Sequence, residues 1–207
     1  MVLEVIVSTI KDAKEHVASY GEALIDLAVD NDAWSNIPLV EHAVKILNIA
    51  DTYKLNLLKR NYAAFIKAVS CLDSGEAELL LQKITLNTEL SEESTEVIFH
   101  VIVNSFGSLK SELLGNSLVA VARGSINLEE FNTLALIVES GSIAALRCLP
   151  AFLDGNENKL YRSIPSAAPH EGLLFSLGVA TRHGNMFRLD ENARKLAEFG
   201  FGIQLNT

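Results

Sequence analysis

Apolar residues recur along this chain at intervals of three and four, the spacing of one face of an α-helix. Val17, Tyr20, Leu24 and Leu27 keep it, as do Ile37, Val40, Val44 and Leu47, and then Leu55, Leu58, Tyr62, Phe65 and Val69. A seam that repeats every seven residues is one along which helices pack side by side. Residues 2–18 and 20–29 read as two helices, ended by Asp30-Asn31-Asp32, and Asn36 with Pro38 opens the next, proline being tolerated in a first helical turn. Asp73 or Ser74 starts a helix through Leu79, Leu80 and Ile84. Thr88 to Ser91 reads as a polar break. After it Glu92, Glu93 and Glu96 load the positive end of a helix whose Ile98, Val101, Ile102 and Ser105 face inward.

The stretch Gly107 to Ser140 predicts two buried helices joined by a tight turn. Ser108 is placed to cap the first, on the amides of Lys110 and Ser111, and Leu114, Leu118 and Val121 form its stripe. Gly115 costs about 1 kcal/mol against alanine inside a helix, so close approach of a neighbouring helix is its expected compensation. Arg123 suits the negative end of the helix, and Gly124 ends it in the left-handed conformation. Asn127 then caps the second helix in a capping box with Glu130, ahead of Phe131, Leu134, Ala135 and Val138.

The last third changes character. Ser142 to Leu153 is helical, with a break expected near Cys148 because Pro150 follows. Asn156 to Ile164 reads as a short helix stopped by Pro165. Pro169 opens a helix that carries Leu173, Leu174 and Leu177 and ends at Gly178. Val179–Thr181 and Met186–Leu189 are strand-like, joined through Arg182-His183-Gly184-Asn185, whose centre suits a hairpin turn. Asp190 caps a final helix with Ala193, Leu196 and Ala197 inward. The fold class expected is mostly α: a multi-helix bundle over residues 1–140, with residues 141–207 forming a small α+β module, built on one β-hairpin and packed on the bundle.

That module, LLFSLGVATRHGNMFRLDENARKLAEF, resembles the wing of a winged-helix domain. The resemblance implies contact with nucleic acid or a partner through Arg182, His183, Asn185 and Arg188 on the wing. The helix before the wing departs from DNA-reading members. It offers His170, Glu171 and Ser176 where arginine, asparagine or glutamine would meet base edges. The SELLGN and GSINLEEF motifs within residues 91–139 are similar to the helical bundles of tellurite-resistance TerB-like proteins, and to bacterial proteins associated with phage or abortive-infection loci. A helical bundle and a role in bacterial or phage conflict are what this second resemblance implies. TerB-like bundles are associated with acidic metal sites, but this chain has no Asp-rich loop to match, so no metal is carried over.

Composition narrows the chemistry. With 49% apolar residues the chain can build a sizeable core. Its longest apolar runs, VIFHVIV and LLFSLGVA, are too short and interrupted to cross a membrane. Cys71 and Cys148 lie among apolar neighbours and read as reduced core thiols of a cytoplasmic protein. The net charge of −9 disfavours sequence-independent nucleic-acid binding. Residues 140–207 are the only region free of that objection. Residues 54–67 hold Lys54, Lys59, Arg60 and Lys67 and no acid. They offer a basic face for an acidic partner or a membrane surface, or simply a solvated helix side.

Catalytic signatures are absent. Ser117 in GNSLV lies mid-helix, outside any GxSxG elbow, and no phosphate-cradling glycine loop occurs. Glu96 and His100 share a helix face with Glu93 near, yet a metal wants three or four ligands. The pair is therefore read as solvent-facing. Trp34, beside the Asp-Asn-Asp turn, is a candidate partner contact or a plug at the bundle end. No catalytic residue, metal or cofactor is assigned. The function expected is that of a non-enzymatic interaction or regulatory protein acting on a protein partner, a second copy of the chain included. The alternatives are a nucleic-acid-binding regulator using the wing and a membrane-surface bundle.

Overall fold

A computed structural model describes Val44 and residues 52–86 and 88–206. The helices expected in residues 2–29 and across 36–47, Val44 excepted, lie outside that range, as does Trp34. Eight α-helices and three short strands make up the described chain, so the mostly α class with a small C-terminal sheet holds.

Helix α1, Thr52–Val69, buries Leu58, Tyr62, Phe65 and Val69, the seam its spacing predicts. Helix α4, Leu109–Ala122, is the centre of the bundle. Almost every side from Ser111 to Ala122 is buried, because α1, helix α2 (Ser74–Leu86), helix α3 (Thr88–Asn104) and helix α5 (Leu128–Ser140) all lie against it. The α1–α4 contact is the most extensive, and Gly115 makes it possible. A Cβ on Gly115 would stand 2.6 Å from Ala68 Cβ and 3.0 Å from the Phe65 carbonyl oxygen.

Local chemistry explains most boundaries. Asp73 and Glu76 form a reciprocal capping box at the start of α2: the Glu76 amide donates to Asp73 Oδ1 at 2.8 Å, and the Asp73 amide donates to Glu76 Oε2 at 2.9 Å. Asn127 and Glu130 do the same for α5. Gly124 ends α4 with φ +75°, and Lys83 donates to the Val121 carbonyl at 2.6 Å, a cation at the negative helix end. Ser108, in contrast, makes no capping bond, because its backbone is already helical. No long polar break precedes α3. The helix starts at Thr88 and takes in the polar run, with only Asn87 between it and α2.

Helix α6, Ile143–Asp154, continues straight through Pro150. Interior proline costs about 3 kcal/mol. Burial of Leu146, Leu149, Phe152 and Leu153 outweighs it, at about 1.5–3 kcal/mol for each large apolar side chain. The helix expected at 156–164 does not form. Glu157 and Asn158 are both left-handed, with φ +55° and +56°. Asn158 donates back to the Leu153 carbonyl at 2.8 Å, and the reversal launches strand β1, Tyr161–Ser163.

The sheet therefore has three strands, not a lone hairpin. Strands β2 (Ala180–His183) and β3 (Met186–Leu189) pair antiparallel, and β1 adds to the other side of β3. Helix α7, Glu171–Ser176, packs on α6 and β2 and is ended by Gly178 at φ +70°. Asp190 caps helix α8, Glu191–Lys195, which widens into a π-helical turn, Leu196–Gly200. That turn lies on α4, where Asn116 donates to the Gly200 carbonyl at 2.8 Å. Lys195 reaches Glu130 of α5 at 2.7 Å. One continuous core runs from α1 to the final turn.

Candidate interaction surface

The register decides which side chains the hairpin presents. His183 pairs with Met186, so the turn is only Gly184-Asn185. Gly184 alone of the two has positive φ, 59°, the arrangement of a II′ turn. The four-residue connection expected at 182–185 is thus shorter by two. Arg182 and His183 belong to β2 and obey its alternation.

Arg182 lies opposite Phe187 on the inner face, where Phe187 is 0% exposed. Phe152 and Phe175 meet that ring edge-on at 5.2 and 5.7 Å. The guanidinium sits 5.9 Å over the same ring. Its Nε and Nη2 donate to the two Glu171 oxygens, each at 2.6 Å. Nη1 donates to the carbonyls of Ile164 and Gly184 at 3.1 and 3.2 Å, and Nη2 also donates to Ser166 at 3.1 Å. All five N–H donors of the fork are in use. The pairing holds the Glu171 carboxyl below the usual carboxylate range and raises Arg182 in turn. Arg182 is a clamp between β2, α7 and the loop after β1, and it does not face solvent as a wing contact.

The outer face is another matter. Pairing across β1, β3 and β2 aligns Tyr161, Arg188 and Thr181 in one row, and Ser163, Met186 and His183 in the next. All six are exposed; Tyr161 stands 56% and Met186 41% open to solvent. Asn185 is exposed in the turn beside them. Tyr161 and Met186 were not singled out from sequence. Their signal was unreadable without β1, which supplies the third strand and makes a hairpin into a surface.

The remaining candidates do not assemble. Lys54, Arg60 and Lys67 are exposed, but Lys59 is buried, 2% open, on the side of α1 that carries Tyr62 and Ile66. Arg60 donates to the Phe106 carbonyl at 2.7 Å. The four cations are not one basic face. Glu96 and His100 are solvent-exposed, as their spacing suggested, and line a groove of about 470 Å³ with Val97, Phe99, Val103, Asn104 and Glu139. His100 Nδ1 lies 3.1 Å from Glu139 Oε1 of α5, a partner that sequence spacing within α3 could not reveal. Among the described residues no cluster of three or more His, Cys, Asp and Glu side chains is placed to hold a metal. Cys148 is buried, and burial raises its thiol pKa. Cys71 is exposed at the end of α1, contrary to expectation, because it lies beyond the last buried turn, with Sγ donating to the Ala68 carbonyl.

No protein-family model, curated protein or solved structure matches the chain.

Proposed function

We propose that the chain is a non-catalytic interaction protein that holds a protein partner on the outer face of its C-terminal sheet. The observation that carries it is the pair of rows Tyr161–Arg188–Thr181 and Ser163–Met186–His183, exposed on the outer side of a rigidly built sheet. An aromatic ring, a thioether and an arginine on one firm surface have the composition of an interface core. The inner face supplies the firmness, since Phe187 and the Arg182–Glu171 clamp fix the strands from behind. The unpaired thiols of Cys71 and Cys148 suit a reducing compartment.

Nucleic-acid binding through the hairpin loses one of its two arginines, since every donor of Arg182 already has an acceptor within the fold. A membrane-surface role loses its basic face with Lys59. No single described helix is long and apolar enough to cross a membrane.

A photo-crosslinking residue at Met186, used in the native cell, tests the proposal. One protein should be captured in stoichiometric yield, and Arg188→Glu should abolish the capture without changing the circular dichroism spectrum. Capture no greater than from Glu129, an exposed position on α5, would refute it.

A further inference from the structure

Resting on that assignment of the sheet as the partner surface, we infer that it recognises a short acidic peptide segment. The six outward side chains include a guanidinium, an imidazole and three hydroxyls, from Tyr161, Thr181 and Ser163, and no carboxylate. Every polar group there can donate a hydrogen bond, and none is an obligatory acceptor. On a chain of net charge −9 this is a local reversal of sign.

Arg188 is also uncommitted. Lys159, Arg182, Arg194 and Lys195 of the same third of the chain each pair with a glutamate. Arg147 and Arg162 pair with none among the described residues, but Arg147 lies on α6 and Arg162 pairs opposite Phe187, so neither stands on the outer face. Arg188 forms no ion pair with any described residue, and its cross-strand neighbours are Tyr161 and Thr181. An incoming carboxylate therefore meets a full, accessible positive charge in the bidentate geometry that arginine favours.

Size sets the length of the segment. Strands lie about 4.8 Å apart and alternate residues about 6.6 Å apart, so three strands and two rows span roughly 10 by 7 Å. An extended peptide covers that with three or four residues. A carboxylate meets Arg188, a second lies toward His183 on β2, and an apolar side chain rests on Met186, with the Tyr161 ring flanking Arg188 on the β1 side. Continuous polyphosphate fits less well, because it must also approach the acidic body.

The test is fluorescence anisotropy on the full chain with four labelled probes: a peptide of alternating glutamate and leucine, the same peptide with glutamine for glutamate, the same with lysine for glutamate, and an oligothymidine of similar length. The acidic peptide should bind best, with the glutamine peptide at least tenfold weaker. Arg188→Glu should lose at least tenfold for the acidic peptide and gain affinity for the lysine-leucine counterpart. Tyr161→Ala should weaken binding with the fold intact. Absence of binding by the acidic peptide, equal binding of the glutamine peptide, or indifference to Arg188→Glu overturns the inference. Tighter binding of oligothymidine overturns it in favour of nucleic acid. Each peptide failure is separable from failure of the interaction role itself, which stands if Met186 still crosslinks one protein in the cell.

Discussion

Gly115→Ala isolates the contact on which the bundle is built. In a helix exposed to solvent the substitution would add about 1 kcal/mol of stability. Here the new methyl would stand 2.6 Å from Ala68 Cβ and 3.0 Å from the Phe65 carbonyl oxygen. Carbon atoms rest at about 3.5–4.0 Å, so α1 and α4 must part by roughly 1 Å. Neither obstacle is a flexible side-chain end that can swing away. Overpacking costs about 1–3 kcal/mol, and separating the most extensive helix pair of the fold belongs at the upper end. Net of the propensity gain, the loss is about 1–2 kcal/mol, or a fall in Tm of about 2–8 °C for a chain of this size. Thermal melts followed at 222 nm, with urea unfolding alongside, read it directly. Ala68→Gly alone should also destabilise, by about 1 kcal/mol. Combined with Gly115→Ala it removes the nearest obstacle, so the double variant should be more stable than the summed single losses by about 1 kcal/mol. A Gly115→Ala variant that melts at or above the parent temperature refutes close approach as the reason for glycine there.

Other substitutions probe separate devices. Gly172→Ala, on exposed α7 with nothing within 4 Å of the added carbon, should stabilise by about 0.5–1 kcal/mol, and a lower urea midpoint would contradict it. Asn127→Ala removes the side-chain half of the capping box and should cost about 1 kcal/mol, read from the same denaturation curve. Glu171 is held below its unfolded carboxyl value by Arg182. Its contribution is therefore present above the usual carboxylate range and is lost as pH falls through the folded value. Protection factors at the β2–β3 amides, corrected for the intrinsic exchange rate at each pH, should fall in acid, and Glu171→Gln should flatten that fall; an acid dependence unchanged by the substitution would dismiss the clamp.

Helix positions were legible because the bundle obeys one period. Leu58, Tyr62, Phe65 and Val69, or Phe131, Leu134, Ala135 and Val138, read the same in sequence and in structure. The Asn127–Glu130 box was equally plain, since a cap is a local pattern. What escaped depends on partners distant in the chain. Lys59 looked like one more solvated base, and only the packing around α1 shows it enclosed. Pro150 looked like a break, and only the burial of its neighbours keeps the helix going. Strand β1 is three residues long and is held by pairing with β3 rather than by its own composition. The hairpin was located correctly but misread by two residues of turn length. In a strand a shift in register changes the face each side chain occupies. Placing Arg182 in β2 turned a presumed surface contact into a clamp and left Arg188 as the outward arginine.

The π-helical turn at Leu196–Gly200 closes over a helix made more than eighty positions earlier, its Gly200 carbonyl held by Asn116, 84 residues away. Synthesis proceeds from the amino end, so a nascent chain carries one flank of α4 bare, Leu113 included, until the 84 residues that separate Asn116 from Gly200 have been translated. Contacts of such sequence separation form late and slowly, and exposed oily surface invites aggregation in the meantime. Chains cut short before Leu196 should therefore fail in the cell as insoluble or degraded products, although every earlier helix is intact.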